Sequence, residues 1–297
     1  MTRALVVNGD DFGLTPGVNA GLLDAHARGI LMSASLFANA PATAEAVAIA
    51  KRTPSLGVGC HLALVDAAPA LAPPDLPTLA PGGRFRATWG AFTRDAVAGR
   101  IRSIEIEREL EAQIERILAA GVTPTHLDSH KHVHAYPPVF AIVARLARAY
   151  GIGAVRVPCE APALRLAWRY IRGRGARRQA LENLALAPWC ARDRRLLEAH
   201  GLPPAPAFLG RVLTGRFTRE SFSALLASAP VGTSELMMHP GYEDSALDAV
   251  RTRLRAQRAV EVELLTDPAA QTVVRRAGIS LMRHDRRPSD AHENAHA

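Results

Sequence analysis

The sequence predicts an α/β fold, a distorted TIM-like (β/α) barrel that forms a single domain. The chain has 297 residues, which suits one α/β barrel of ~250 residues. Short apolar runs alternate with longer stretches of helical periodicity, as expected for βα units around a parallel sheet. Acidic and histidine side chains follow several of the apolar runs, where barrel enzymes carry their chemistry. We expect the barrel to span residues 1–285 and a polar, disordered tail to follow at 286–297.

Four strands are predicted in the first half of the chain. The helix after the first strand has Thr15 as N-cap, Pro16 at its first position and Gly29 at its end. Pro41 begins the second helix, and a third helix with apolar residues at helical spacing ends at Gly121. These helices separate strands predicted at residues 4–8, 33–39, 56–64 and 125–128.

Residues 66–92 interrupt this alternation of strands and helices. The segment contains five prolines and the Gly82-Gly83 pair. A loop of such length inside a compact domain is usually either a functional flap or poorly ordered. The sequence leaves both interpretations open.

The second half of the chain is predicted to hold four more strands. A helix that begins at Pro137 and closes at Gly151 precedes the first of them. Residues 160–205 are predicted to form a basic, tryptophan-containing helical insertion. The strands are placed at residues 154–157, 206–210, 234–238 and 279–282. Seven or eight strands with intervening helices suit a barrel that is incomplete or distorted.

Composition argues against several classes of protein. The formal net charge of +8 is either a compositional excess of arginine or an attraction to anionic membranes or nucleic acid. The three cysteines are dispersed and form no CxxC pair, which argues against a disulfide scaffold or a structural zinc ribbon. We recognise no signal peptide, no run of ~18 uncharged apolar residues, and neither a P-loop nor a GxGxxG motif. A cytoplasmic protein without a nucleotide cofactor is expected.

Two adjacent carboxylates, Asp10 and Asp11, follow the first predicted strand. Neighbouring carboxylates repel each other, and a nearby cation relieves this repulsion and allows both to ionise. One carboxylate can then bind a metal while the other remains free as a base. Asp before glycine is also common in turns, so the Asp-Asp-Phe-Gly sequence alone leaves a structural role open.

The segment DSHKHVH, residues 128–134, follows the fourth predicted strand. Its three imidazoles, those of His130, His132 and His134, occupy alternate positions and would point to one face of an extended segment. Imidazole together with the carboxylate of Asp128 suits zinc or another divalent metal. Not every histidine needs to be a ligand, because some can orient the ligands or line the substrate cleft.

Two single histidines lie at the ends of other strands. His61 ends the third strand, and taken alone it would more often be a structural residue. His239 follows the strand at 234–238, and Pro240 restricts its backbone to an extended shape, which would hold the imidazole where a general acid is useful. A histidine in a turn is the alternative. Four distant segments thus carry acids or imidazoles at the same end of their strands, and this convergence favours one shared site.

Four of these motifs resemble those of the YdjC-like carbohydrate deacetylases. They are VNGDDFG at residues 7–13, GCHL at 59–62, THLDSHKHVH at 125–134 and HPGY at 239–242. The resemblance covers residues 4–285, and within the family the chain is most similar to the hopanoid-biosynthesis-associated branch. Gly9 stands where the family usually has alanine. The better-known branch of the family deacetylates chito-oligosaccharides.

The resemblance implies a distorted (β/α) barrel and a divalent metal, Zn²⁺ or Mg²⁺. It implies that Asp11, His61 and His130 bind this metal, that Asp10 is the catalytic base, and that His239 is the acid. The remaining candidates, to which we assign substrate-binding or supporting roles, are Asp128, His132, His134 and Tyr242. A metal-activated water would attack the acetyl carbonyl while His239, as imidazolium, protonates the departing amine.

The hopanoid branch implies that the substrate is an N-acetylglucosaminyl group on a bacteriohopane polyol, which is a membrane lipid. The basic segment around Trp168 and Tyr170 could then lie on an anionic membrane, or it could be a barrel helix with a solvated arginine face. The alternative substrate is a chito-oligosaccharide, and the alternative enzyme is another barrel metal hydrolase such as a phosphoesterase. A nucleic-acid binder would explain the charge but not the convergent aspartates and histidines, so we expect no nucleic-acid partner.

Overall fold

The computed structural model describes residues 2–160 and 174–286 and confirms a distorted barrel of parallel strands. The strands pair in the order β4-β3-β2-β1-β6-β5, and β7 pairs with the first half of β1. Within the described ranges β4 and β5 do not pair with each other, so this barrel remains open. The strands are β1 (Arg3–Phe12), β2 (Ser33–Leu36), β3 (Gly57–Leu62), β4 (Leu127–Ser129), β5 (Ala207–Leu209), β6 (Gly232–Met238) and β7 (Ile279–Leu281).

Helices cover the sheet, as expected for parallel strands that are buried on both faces. The predicted cap of the first helix is confirmed, since the Thr15 side chain accepts a hydrogen bond from the Val18 N–H. The helices are α1 (Pro16–Arg28), α2 (Thr43–Arg52), α3 (Trp89–Val97), α4 (Ser103–Ala119), α5 (Pro137–Ala149), α6 (Arg174–Ala199), α7 (Arg219–Ala227), α8 (Ser245–Asp248), α9 (Gln257–Thr266) and α10 (Pro268–Arg276). None of the helices within residues 2–160 and 174–286 is long and apolar enough to cross a bilayer.

The strand predicted at 154–157 is wrong. Only Val155 pairs there, in a single parallel bridge with Leu127 at the outer edge of β4. Pro158 follows closely, and a proline has no N–H with which to extend a ladder of hydrogen bonds. The chain leaves the sheet at this point, and the Arg156 side chain enters the interior instead.

The proline-rich segment at 66–92 is packed against the barrel, so its interpretation as poorly ordered is wrong. The Glu109 carboxylate of α4 accepts hydrogen bonds from the N–H groups of Ala70 and Leu71 at 2.7 and 2.9 Å. The Glu105 carboxylate, one helical turn earlier, accepts two more from Thr78 and Leu79, each at 2.8 Å. Buried carboxylates thus satisfy backbone donors of a segment that pairs with a strand-like partner only at the Val65–Arg86 bridge within the described residues. Helix α3, which begins inside this segment, was not predicted from the sequence pattern.

The predicted insertion at 160–205 is represented by α6, a 26-residue helix with Pro188 in its interior. Residues 161–173, which include Trp168 and Tyr170 of the segment proposed to lie on a membrane, are outside the described residues, as is the predicted tail from 287 onward. The membrane contact of that segment and the disorder of the tail therefore stay predictions.

Candidate active site

The carboxyl ends of β1, β3, β4 and β6 open into one cavity of about 990 Å³. Strand register explains the convergence, because His61 in β3 is the partner of Asp128 in β4, and Gly9 in β1 is the partner of Met238 in β6. The predicted site residues that line the cavity are Asp10, Asp11, His61, His130, His132 and His239.

Asp11 adopts an unusual backbone conformation that brings both aspartates to this cavity. Successive residues of a strand point to opposite faces, but Asp11 has a φ of +70°, and the pairing of β1 with β2 is irregular between Gly9 and Phe12. Aspartate tolerates this left-handed region better than most residues. The break in alternation lets two consecutive carboxylates serve one site.

Three side chains have the arrangement that a divalent metal requires. One ligand atom each from Asp11, His61 and His130 lies within 4.8 Å of the others. The Asp11 Oδ1 is 3.6 Å from His61 Nε2 and 3.3 Å from His130 Nδ1. One carboxylate and two imidazoles suit zinc and other divalent transition metals, so the residues present fit the implied ion.

Asp128 hydrogen-bonds His61 of this set on the side away from the cavity and does not itself line the cavity. The His61 Nδ1–H donates to Asp128 Oδ1 at 2.9 Å, which leaves Nε2 facing Asp11. Metal-binding histidines commonly donate their second N–H to a carboxylate in this way. The Ser35 hydroxyl donates to the other oxygen of Asp128 at 2.8 Å. Asp10, His61 and Asp128 also cluster closely, but Arg156 occupies oxygens of both aspartates, so the Asp11 set is the better candidate for a metal ion.

Arg156 is a functional residue that sequence reasoning missed. Its side chain is fully buried and donates through Nη1 and Nη2 to the two oxygens of Asp10, each at 2.8 Å. The same guanidinium contacts Asp128 Oδ2 at 2.6 Å and donates through Nε to Glu235 at 2.7 Å. One cation therefore holds three carboxylates that come from three different strands. The available signal was a charged residue inside the apolar run AVRV at 154–157, which a buried strand tolerates only when the charge is paired.

Charge pairing keeps both adjacent aspartates ionised in a buried site. Burial alone would raise the pKa of Asp10, but the charge and hydrogen bonds of the Arg156 guanidinium, with the nearby His61 and His239, together outweigh burial and lower this pKa below its ordinary value. Burial acts in the same sense on Asp11. The charge of the Arg258 guanidinium, the hydrogen bond and charge of His130 and the charge of His239 together outweigh it, so the Asp11 pKa lies well below its ordinary value. Asp10 can therefore accept a proton, and Asp11 can bind a cation.

The segment that follows β4 is a 3₁₀ turn, His130–Ala135, so its prediction as an extended segment with all imidazoles on one face is wrong. The cause is the positive φ of Lys131 and His132, +54° and +53°. His130 faces Asp11, whereas His132 lines the cavity with its ring edge-on to the buried Phe208. His134 points away from the cavity: its Nε2–H donates to the Arg156 carbonyl at 2.9 Å, and its Nδ1 accepts from Ser129.

His239 lies in the cavity wall at the end of β6. Its backbone N–H donates to Glu261 of α9 at 2.6 Å, and burial raises the pKa of Glu261 to about 7. Burial lowers the pKa of His239 to about 4, so its imidazole is neutral near pH 7. The imidazolium expected for the acid role would therefore have to form during the reaction, and that role stays a prediction. Tyr242 is not brought to the site, because its hydroxyl donates to Asp24 of α1 at 2.7 Å.

The buried state of His134 predicts a loss of stability in acid. Burial lowers its pKa to about 4, so below about pH 6.5 the unfolded chain binds a proton that the folded chain does not. The stabilisation is complete above pH 6.5 and is lost as pH falls toward 4. Between pH 7.5 and 5 we expect a loss of about 2 kcal/mol from this group.

Urea unfolding of the metal-free protein at both pH values checks this expectation. His134→Gln should lower the free energy of unfolding at pH 7.5 but flatten its pH dependence, whereas His200→Gln, at the end of α6, should keep the wild-type slope. An unchanged slope in His134→Gln would contradict the assignment.

Comparison with known proteins identifies the family. The family model for YdjC-like proteins matches residues 4–276. A carbohydrate deacetylase of Geobacillus stearothermophilus is 35% identical over 285 residues, covering 95% of this chain and 97% of the relative. A second, from Brevibacillus brevis, is 37% identical over 266 residues and covers 88% of this chain and 90% of the relative. A crystal structure from Enterococcus faecalis, of a protein named for cellobiose-phosphate cleavage, superposes with a TM-score of 0.76 at 25% identity, covering 96% of this chain and 98% of that one.

These relatives and the site agree on the class of reaction. A deacetylase of an N-acetyl group hydrolyses a linear amide C–N bond, and this chain is an enzyme of that hydrolase class. The expected resemblance of the four motifs is confirmed along almost the whole chain. The chain belongs to the YdjC-like family.

Proposed function

We propose that this chain is a metal-dependent N-deacetylase that removes the acetyl group from an N-acetylglucosaminyl substrate. The observation that carries the proposal is the cavity in which the Asp11, His61 and His130 set lies beside Asp10 and His239. An amide is a poor electrophile and an amine is a poor leaving group. The site must therefore supply a nucleophile, stabilise negative charge on the carbonyl oxygen, and protonate the nitrogen.

The residues of the chain divide these tasks. A divalent ion held by Asp11, His61 and His130 would act as Lewis acid and lower the pKa of a coordinated water. Asp10, fixed by the two-pronged contact with Arg156, accepts the proton of the attacking water on a carboxylate oxygen. His239 starts as a neutral imidazole. The proton that Asp10 takes from the water would pass by way of His239 to the departing amine nitrogen, so that the C–N bond breaks and acetate and the free amine leave.

We propose further that the N-acetylglucosaminyl group is linked to a membrane lipid, of the hopanoid type, and that the enzyme acts in the cytoplasm at an anionic membrane surface. Positive charges at the cavity support binding to an anionic membrane surface. The basic residues that line the cavity are Arg84, Lys131, Arg211, Arg251, Arg253 and Arg255. Gln179 and Glu182 of α6 also line it, and Leu181 and Leu184 on the same helix expose 66% and 47% of their surface. Exposed leucines beside cationic groups suit an anionic bilayer.

The test measures product release from three substrates with the metal-loaded enzyme. We expect acetate from an N-acetylglucosaminyl bacteriohopane polyol in vesicles, faster when the vesicles contain anionic lipid, and slower acetate release from diacetylchitobiose in solution. Phosphate release from an aryl phosphate, without acetate from either sugar, would favour a phosphoesterase and reject the deacetylase.

A matched pair of variants separates the lipid part of the proposal from the chemistry. The double variant Leu181→Asp and Leu184→Asp should lose the acceleration by anionic vesicles, whereas Val97→Asp, on the exposed face of α3, should keep it. Equal rates with neutral and anionic vesicles in the wild type would leave the deacetylase and remove the membrane contact.

A further inference from the structure

Helix α9 holds two parts of the site at once through residues three positions apart. The Arg258 Nη2 contacts Asp11 Oδ2 at 2.5 Å, and the Glu261 carboxylate accepts from the His239 N–H at 2.6 Å. Residues at i and i+3 lie on the same face of a helix, and both of these side chains are only 1% exposed. One turn of α9 thus touches a metal-binding carboxylate and the backbone of the candidate acid.

The contact with Arg258 divides the Asp11 carboxylate between two tasks. Oδ2 faces the guanidinium, while Oδ1 faces His61 and His130. The guanidinium is itself fixed, because its Nε donates to the Leu254 carbonyl at 3.0 Å. Only one oxygen of Asp11 is left for a cation.

The position of α9 is set by close backbone packing on the side of α1. The Gly241 N–H donates to the Arg258 carbonyl at 3.3 Å, and a side chain at Gly241 would meet the Cα of Val18 at 3.1 Å. The helix therefore cannot shift independently of the turn that follows His239. Within the described residues the buried Arg258 Nη1 has no hydrogen-bond partner, an arrangement that is costly for a group with a purely structural role.

We propose that Arg258 is a positioning residue that restricts Asp11 to one-oxygen ligation and weakens the affinity of the site for its divalent ion, and that Glu261 fixes the position of His239 relative to that ion. The inference rests on the proposed metal-dependent function. One-oxygen ligation by Asp11 would leave coordination positions for water and the substrate, and weaker charge donation from Asp11 would keep a bound ion a stronger Lewis acid.

The sign of the effect on metal affinity distinguishes this role from a structural one. A guanidinium beside Asp11 repels a divalent cation and competes with it for the same carboxylate. Its removal should therefore tighten metal binding, by about tenfold for charges a few ångström apart in a partly screened site. If Arg258 merely supported the fold, its loss would loosen the three-ligand set and weaken metal binding.

The experiment titrates Zn²⁺ and Co²⁺ against a chromophoric chelator in Arg258→Met, Arg258→Lys and the control Arg276→Met, an exposed arginine of α10. Arg258→Met should bind about tenfold tighter, with a changed Co²⁺ absorption spectrum and a lower kcat, while Arg258→Lys and Arg276→Met should keep the wild-type dissociation constant. Arg258→Gln replaces Arg258→Met if the latter does not fold. Weaker or unchanged binding in a folded Arg258→Met or Arg258→Gln overturns the inference.

The Glu261 half of the proposal has a separate measurement. Glu261→Ala should lower kcat and leave both KM and the metal dissociation constant unchanged, and Glu263→Gln on the exposed face of α9 serves as the control. A change in metal affinity equal to the change in kcat would overturn this half.

The outcomes for the inference and for the proposed function are distinguishable. If the wild type binds metal and Arg258→Met binds it more tightly, but the wild type releases no acetate, the proposed function is rejected and the Arg258 inference stands. Failure of the wild type to bind any divalent ion would reject both.

Discussion

Asp11→Ala should abolish both metal binding and turnover, whereas Asp10→Asn should stop turnover while the metal remains bound. Asp11 supplies the one carboxylate oxygen of the three-ligand set, and two imidazoles alone hold a divalent ion poorly. Asp10 faces the same cavity, but both its oxygens contact Arg156, and its proposed role is to accept a proton. A general base typically accelerates a reaction by roughly 10²–10⁴-fold, so its removal should lower the rate of turnover by about that factor.

Metal content after dialysis and the rate of acetate release measure the two effects separately. His130→Ala should behave like Asp11→Ala, because it removes a ligand from the same set. Asp75→Asn, at an exposed ion pair with Arg108, is the control and should retain both properties. Two results are incompatible with the assignment: full turnover in wild-type enzyme after exhaustive chelation, and loss of metal from Asp10→Asn.

The fold and the centre of the site could be predicted because parallel strands share a direction. Residues that follow β1, β3, β4 and β6 must meet at one edge of the sheet, so the sequence places Asp11, His61, His130 and His239 together without knowledge of any distance. The prediction failed where the backbone left regular geometry. Lys131 and His132 adopt positive φ, which turns the imidazoles of His130, His132 and His134 in three directions. The alternating spacing of these histidines in the sequence gives no sign of this turn.

The charged residues behind the site were missed for a different reason. Arg156 and Glu235 lie within predicted apolar strands, and their burial requires partners, so their presence was a usable signal. The partners themselves were not predictable, because Arg258 contacts Asp11 across 247 positions and Glu261 accepts a hydrogen bond from the backbone of His239 across 22 positions. Helical periodicity places Arg258 and Glu261 on one face of α9 but does not say which strand end that face meets.

Arg156→Met should destabilise the fold by more than the loss of an ordinary buried ion pair. The guanidinium is the shared partner of three buried carboxylates, on Asp10, Asp128 and Glu235, and it is itself fully buried. Removal of one partner from a buried ion pair costs roughly 3–5 kcal/mol, because the remaining charge is left without compensation. Three carboxylates would lose their common cation, so we expect a free energy of unfolding lower by at least this amount. Urea unfolding near pH 7 measures it.

Compensating variants show whether the loss comes from uncompensated charge. Arg156→Lys retains a cation but cannot contact the two oxygens of Asp10 simultaneously, so it should recover part of the stability and little of the turnover. Arg156→Met combined with Glu235→Gln should be more stable than Arg156→Met alone, because one unpaired buried carboxylate is removed. Arg145→Met, at an exposed pair with Glu107, should change stability by no more than about 1 kcal/mol. If Arg156→Met were as mild as Arg145→Met, the three carboxylates would have to be protonated in the folded protein, and Asp10 could not then serve as the base.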